Sequence, residues 1–261
     1  MFGKTSPLLN VPEGIDAPSL LILDGIRHAG MQAKLAFLGL ENQLLFISTQ
    51  ERIENTYIIA QTFSFAWSFI DAANQLRECL WWLTQKGHKK YSAAAALPQQ
   101  LKELIALSKI DIKQFLDNTD HIKETRNMYQ HSIKNRESFI KNKRPIWGSL
   151  HWLYIQNHED FNWTTCTLLS GHVFGEVQSV NTIPKGGESF HIPIGKIILD
   201  EKRTEVNISN TMIMIEKVIN GIEEQLIPQF TNKKILDRDV LFKIVYKITP
   251  KSDNNTDLQN V

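Results

Sequence analysis

The chain has 261 residues, of which 42% are hydrophobic and 22% charged, and its formal net charge is +1. These values are typical of a globular protein with one large or two small domains, and they exclude a polycation that binds nucleic acid with its whole surface. The only two cysteines, Cys79 and Cys166, do not belong to a Cys-x-x-Cys pair, which argues against a zinc cluster.

The first 18 residues are predicted to form a loose lead-in segment. They contain three prolines and lack a basic region followed by an apolar run, so no secretory signal peptide is predicted. The most hydrophobic stretch, residues 63–83, is interrupted by Asp71, Arg77 and Glu78 and does not resemble a membrane span. We therefore expect a cytoplasmic protein with no membrane contact.

The first half of the chain is predicted to be helical. Apolar clusters in residues 19–50 indicate one or two helices, although three internal glycines weaken the pattern. Residues 51–86 carry apolar side chains at helical spacing and predict one amphipathic helix that ends at Gly87. Pro98 occurs where it can open a third helix in its first turn.

A fourth helix is predicted to begin at Asp111, which forms a capping-box pattern with Gln114, and to fade near Lys143 before Pro145. Its apolar stripe contains Phe115, Ile122, Tyr129 and Ile133. Arg126 lies in the same stripe. A cation on the core-facing side of a helix is costly unless it meets an anion or opens onto a cleft.

The second half of the chain predicts strands and one further helix. Aromatic and β-branched residues indicate three strands and a candidate fourth, over 147–156, 164–177, 189–199 and 240–248. Between the third and fourth strands, a helix is predicted from an N-cap at Asn210 to Leu226, with Pro228 ending it.

The predicted fold class is α+β, in which an N-terminal helical bundle is followed by a mixed strand and helix region. The bundle occupies residues 19–144, and the mixed region, which we assign to no family, occupies residues 145–250. Residues 251–261 are polar and are predicted to form a mobile tail.

The segment whose side chains best suit chemistry on a phosphate is the hexad Arg126-Asn127-Met128-Tyr129-Gln130-His131. Arginine binds phosphoryl oxygens with two parallel N–H groups, and histidine transfers protons near neutral pH. Between His121 and Arg144 there are seven lysines and arginines but only two glutamates, a local charge of +5 in a nearly neutral chain. Such a cluster is the electrostatic pattern expected of RNA binding.

The hexad resembles the signature of the HEPN superfamily, in which an arginine and a histidine are separated by four to six residues, the first usually polar. Arg126 and His131 have four residues between them, and Asn127 occupies the polar position. The motif also occurs late in a bundle of about four helices. The resemblance covers residues 19–144 and implies a metal-independent endoribonuclease that needs no cofactor. It further implies a homodimer, a toxin or antiviral-defence role, and an antitoxin or other regulatory protein as partner.

The resemblance also suggests a role for each site residue. His131 acts as general base or acid around the RNA 2′-hydroxyl and the leaving oxygen, Arg126 stabilises charge on the phosphoryl oxygens, and Asn127 orients His131 or contacts phosphate. RNA contacts are expected from Lys123, Tyr129, Lys134 and Arg136, with Tyr129 or the nearby Trp147 stacking on a base. No metal ligand is assigned.

Geometry sets a condition on this site. Arg126 and His131 lie about 140° apart around an ideal helix, so a straight helix in one protomer does not aim both side chains at one atom. A kink, a long reach by Arg126 or a second copy of the helix is needed. The resemblance implies the last, with two protomers that pair so that both motifs line one cleft.

Two other interpretations of the hexad stay open. The domain can be a non-catalytic HEPN-like module for interaction or nucleotide sensing, or a structural helical protein in which Arg126 and His131 are satisfied by a carboxylate or the backbone. Arg144 and His151 also match the spacing, but Pro145 prevents one continuous helix there, so we treat that match as coincidence.

Overall fold

The computed structural model describes residues 2–84, 99–105, 111–131, 147–157, 162–171, 180–183, 192–201 and 204–236, and the single residues 134, 137, 140, 141, 145 and 239. The elements in chain order are α1 (Ala17–Ser48), α2 (Thr56–Thr84), α3 (Gln99–Leu104), α4 (Ile112–Asn118), α5 (Asp120–Gln130), β1 (Ser149–Asn157), β2 (Asn162–Leu169), β3 (Ile194–Glu201), β4 (Thr204–Asn207) and α6 (Ile208–Phe230). An α+β protein with N-terminal helices is thereby confirmed.

Helix α1 is one continuous helix of 32 residues, although its internal glycines lower its helix propensity. The glycines occur where other helices come close. A Cβ atom at Gly30 would lie 2.4 Å from a methyl group of Ile219, and one at Gly25 would lie 2.6 Å from the Cys79 sulfur. Close packing therefore requires glycine at these positions, and the burial that it allows offsets the lower propensity.

Helix α2 confirms a helix within the predicted range of residues 51–86, but it begins at Thr56 and not at residue 51. Its predicted apolar face is buried at Phe63, Ala66, Ile70, Ala73 and Leu80. The predicted helix-ending glycine at 87 and helix-opening proline at 98 lie outside the described residues.

The prediction of one continuous helix over residues 111–143 is wrong. The chain forms two helices, α4 and α5, with Thr119 between them, and α5 ends at Gln130. Arg77 of α2 donates to the Leu116 carbonyl at 2.5 Å and to the Thr119 hydroxyl at 2.6 Å. An uninterrupted helix would use the Leu116 carbonyl in its own hydrogen-bond ladder, so we attribute the break to Arg77.

The predicted capping box before α4 is also wrong. The Asp111 side chain forms no capping hydrogen bond and instead pairs with Lys217 of α6. A carboxylate gains more from a cationic partner than from a neutral backbone N–H, and this pair links α4 to α6.

The four strands form one antiparallel sheet in the order β2-β1-β3-β4. Three strands occur near their predicted positions, but β2 ends at Leu169 and β3 begins at Ile194, so both are shorter than predicted. Strand β4 was not predicted, because four residues are too few for a periodic signal. The predicted strand over 240–248 lies outside the described residues.

One face of the sheet packs against the helices. Leu150 and Trp152 of β1 and Ile197 and Leu199 of β3 are buried there. The Trp152 indole N–H donates to the Ser48 hydroxyl at 2.8 Å, which ties the central strand to the end of α1. The sheet, α1, α2 and α6 thus share one hydrophobic core that crosses the predicted boundary between residues 144 and 145.

Helix α6 differs from its prediction at both ends. The N-cap is Asn207, whose side chain accepts from the Asn210 backbone N–H at 2.9 Å, so the helix begins three residues earlier than predicted. Pro228 lies inside the last turns, and the helix continues to Phe230. Only two residues of the helix follow Pro228, so α6 ends soon after the proline.

The N-terminal segment is packed rather than loose, in contrast to the prediction. Leu8 and Val11 are buried in the hydrophobic core. The Glu13 N–H donates to the Lys234 carbonyl at 2.8 Å, and the Leu236 N–H donates to the Val11 carbonyl at 2.9 Å. These contacts hold the start of the chain against the segment that follows α6.

A buried arginine extends this contact between the two ends of the chain. The Arg27 guanidinium on α1 donates to both carboxylate oxygens of Asp239, at 2.8 and 3.2 Å, and to Asp24 at 3.3 Å. Its Nε atom is buried and has no hydrogen-bond partner. Asp239 therefore supplies much of the compensation for a buried positive charge.

No helix within the described residues is long and apolar enough to cross a membrane. This finding agrees with the composition of α2, where charged side chains interrupt the longest apolar stretch.

His151 is a fully buried residue of β1, in agreement with the structural role that its strand position favours. Its Nε2 lies 2.9 Å from the Ser149 hydroxyl and its Nδ1 lies 3.0 Å from the Thr167 hydroxyl. Burial lowers the pKa of His151, and the Asp200 charge opposes this only in part. The folded protein therefore favours the neutral imidazole.

Because the pKa of His151 is lower in the folded than in the unfolded chain, the unfolded chain binds the proton more readily below about pH 6.5. We expect the free energy of unfolding, measured by urea titration, to fall as the pH is lowered from 7 to 5. His151→Gln should reduce this slope. A slope in His151→Gln equal to that of the wild type would contradict the assignment to His151.

Candidate functional site

The hexad lies at the C-terminal end of α5, which packs against α2 and β4. Ile122 and Thr125 are buried, and the Thr125 hydroxyl lies 3.0 Å from the Thr204 hydroxyl of β4. Arg126 is next to these buried positions, so its side chain is only 27% exposed. The sequence correctly indicated that this arginine lies near the core, where it requires an anion.

That anion is Asp71 of α2. The Arg126 Nε–H donates to Asp71 Oδ1 at 2.8 Å. Asp71 is the only hydrogen-bond partner of Arg126 among the described residues, and the two terminal amino groups, Nη1 and Nη2, have none there. Asp71 thus orients the guanidinium through Nε. The two nitrogens that commonly bind phosphate, Nη1 and Nη2, have no partner among the described residues.

Asn127 and His131 are both exposed. His131 is the first residue after α5, and its backbone N–H donates to the Asn127 carbonyl at 3.1 Å. The hexad therefore spans the end of a helix and does not lie on one straight helix. Within the described residues, no hydrogen bond joins His131 to Arg126.

Tyr129 belongs to an aromatic cluster. Its ring stacks on Trp67 with a centroid distance of 4.0 Å and an interplanar angle of 10°, and Trp147 lies 5.4 Å away on a tilted plane. Burial and the Asp71 charge raise the pKa of Tyr129. The structure thus uses the Tyr129 ring for packing within the protein, and Trp147 is the most exposed member of the cluster.

Lys123 and Lys134, which we expected to bind RNA, are both exposed, and Arg136 lies outside the described residues. Lys123 also lines a groove of about 920 Å³ between α2 and the α4–α5 pair. The tertiary structure adds Asp71 and other acidic side chains to the neighbourhood of this basic segment. Around Lys123 and Arg126, the local positive charge is therefore smaller than the sequence count of the segment alone indicates.

Sequence reasoning missed Asp71 and Arg77. The sequence contained a signal for Asp71, because an arginine on the core-facing stripe of a helix requires a carboxylate. The only carboxylates in α2 are Asp71 and Glu78. No local sequence pattern predicts that Arg77 separates α4 from α5, because the hydrogen-bond partners of Arg77 are 39 or more residues away.

No known protein identifies this site. Neither a family model, nor a curated protein, nor a solved structure matches the chain. Among the described residues, no three His, Cys, Asp or Glu side chains are grouped so that they could hold a metal ion.

The Asp71–Arg126 pair is partly exposed, so we expect it to contribute little to stability. A double-mutant cycle with Asp71→Asn and Arg126→Gln, followed by urea unfolding, should give a coupling free energy of about 0.2–1 kcal/mol. A coupling above about 3 kcal/mol would mean that the pair is mainly a buried structural element.

Proposed function

We propose that this protein is a metal-independent endoribonuclease whose active site contains Arg126, Asn127 and His131. The observation that supports this proposal best is the state of Arg126, which Asp71 orients through Nε while Nη1 and Nη2 stay without partners among the described residues. A guanidinium held in this way is prepared to grip a phosphodiester. Asn127 and His131 are exposed on the same short segment.

The proposed reaction uses the nucleophile that RNA itself carries. His131 accepts the proton of the 2′-hydroxyl as its oxygen attacks phosphorus, and the bond from phosphorus to the 5′-oxygen breaks. The leaving oxygen receives a proton from a second imidazole, and the products are a 2′,3′-cyclic phosphate and a 5′-hydroxyl. Arg126 stabilises the charge that develops on the phosphoryl oxygens.

Pairing of two protomers supplies the second imidazole in this proposal. One His131 acts as base at the 2′-hydroxyl while His131 of the other protomer acts as acid at the 5′-oxygen, so two different imidazoles carry out the two proton transfers. Dimer formation is thus part of the proposed mechanism.

RNA binding outside the scissile phosphate is assigned to the exposed lysines Lys123 and Lys134, which pair with the backbone phosphates. Trp147 rather than Tyr129 is the better candidate to stack on a base, because the Tyr129 ring already packs against Trp67. In this proposal, the setting is that of a cytoplasmic toxin or antiviral-defence effector, held in check by an antitoxin or another regulatory protein.

One observation favours a second candidate function. Asp71 partly neutralises the charge of Arg126, which weakens the stabilisation that Arg126 can give to charge developing on a phosphoryl oxygen, so the pair suits a module that binds a nucleotide or a protein without cleaving RNA. Such a module would bind RNA or nucleotide with no turnover, so the two functions differ in a direct cleavage assay.

The cleavage assay uses labelled single-stranded RNA in EDTA with the full-length protein. We expect His131→Ala to lower the cleavage rate by about 10²–10⁴-fold and Arg126→Gln by about 10²-fold. His28→Ala, at an exposed histidine of α1, should leave the rate unchanged. A substrate with 2′-deoxyribose at the cleaved position should be inert, and mass spectrometry should detect the cyclic phosphate.

Cleavage that survives His131→Ala, or that the deoxy-substituted substrate supports, would refute the mechanism. RNA binding without cleavage by the wild type would favour the non-catalytic module. Circular dichroism of each variant shows whether the fold is retained.

A further inference from the structure

The groove that Lys123 lines also contains two tryptophans from the end of α2. Trp81 and Trp82 are nearly perpendicular, with ring centroids 5.4 Å apart, and Trp81 is 39% exposed. We call this space the Trp81 groove. Its volume of about 920 Å³ suits a small ligand or a few side chains of a peptide.

The exposed charges of the Trp81 groove are mostly negative. Among the residues that the structure describes, Glu78, Asp117 and Asp120 line it and are exposed, against one exposed cation, Lys123. Arg77 also lines the groove, but its side chain is only 11% exposed and its charge is paired with Asp120 at 2.9 Å. Around these carboxylates, the described surface of the groove therefore favours a cationic ligand.

The buried amide of Asn74 adds a hydrogen-bonding group to this negatively charged surface. Asn74 is 2% exposed and lines the groove, and its Nδ2–H donates to Glu78 Oε1 at 2.8 Å. Its amide oxygen accepts no hydrogen bond among the described residues. A carbonyl oxygen can only accept, so it is complementary to an N–H donor such as an ammonium or a guanidinium.

The tryptophans are suited to the same kind of ligand. Indole is the side chain that binds cations most strongly through its ring face, and the apolar stems of lysine and arginine pack well on aromatic rings. A lysine or arginine side chain can therefore pack on the tryptophans, pair with the carboxylates and donate a hydrogen bond to the Asn74 oxygen.

We propose that the Trp81 groove binds a lysine- or arginine-rich peptide segment of a partner protein. Lys123 precedes Arg126 by about one turn of α5, so a bound segment would lie beside the hexad. This proposal does not depend on RNA cleavage, because none of its contacts uses Arg126, Asn127 or His131.

The probe is a fluorescein-labelled decapeptide of alternating arginine and glycine, titrated with the full-length protein in about 50 mM NaCl and followed by fluorescence anisotropy. We expect it to bind more tightly than the peptide with glutamate in place of arginine. The double variant Glu78→Gln/Asp117→Asn should weaken binding by about fivefold to tenfold. Trp81→Ala should weaken it by about fivefold.

Matched controls test whether the site is specific. Glu51→Gln/Glu54→Gln removes the same charge from exposed residues before α2, and Trp163→Ala removes an exposed tryptophan of β2. Both should bind the peptide as the wild type does. Because Glu78 and Asp117 are exposed, their variant decides the question even if Trp81→Ala fails to fold.

Three outcomes would overturn the proposal. The first is equal weakening by the control variants, which would mean unspecific attraction to a negative surface. The second is equal binding of the arginine and glutamate peptides. The third is a single-stranded RNA that binds the wild type and loses affinity in Trp81→Ala, which would make the groove part of an RNA path.

Discussion

The position of α5, and with it the hexad, depends on the interaction of one arginine with a helix junction. Arg77 extends from α2 and donates to the Leu116 carbonyl, the Thr119 hydroxyl and the Asp120 carboxylate. These three bonds end α4 and fix the first residue of α5 relative to α2. Two turns further along α5, Arg126 then meets Asp71, which lies on the same α2. Arg77 also lines the Trp81 groove.

Helix α2 therefore connects two sites of different character. Asp71 orients the cation of the proposed ribonuclease site, and Asn74, Glu78 and Trp81 follow on the helix to line an anionic, aromatic groove. A ligand in the groove would contact Lys123, which is one turn from the hexad. The two proposals thus predict chemically opposite ligands on neighbouring parts of α5.

The parts of the fold that sequence could predict are those where burial follows a regular period. The apolar face of α2 is an example, because its side chains repeat at helical spacing, whereas β1 was predicted from its content of aromatic and β-branched residues. The break between the helices at Thr119 and the missing capping hydrogen bond of Asp111 could not be predicted. The first depends on Arg77 and the second on Lys217, and both side chains are distant in sequence.

The candidate site was predictable to a similar extent. The spacing of Arg126 and His131 was visible, and so was the need of Arg126 for an anion. The exposure of His131 after α5 and the stacking of Tyr129 on Trp67 depend on where α5 ends and on what it packs against. Both are results of tertiary structure, which a six-residue pattern does not contain.

The contact between Arg27 and Asp239 has a consequence for synthesis of the protein on the ribosome. Helix α1 emerges early, but its buried cation lacks the Asp239 carboxylate until more than 200 further residues have been translated. A nascent chain thus carries a poorly compensated charge in a helix that belongs to the hydrophobic core. The Arg27–Asp239 bond cannot form before residue 239 has been synthesised, and a chain that terminates earlier lacks it.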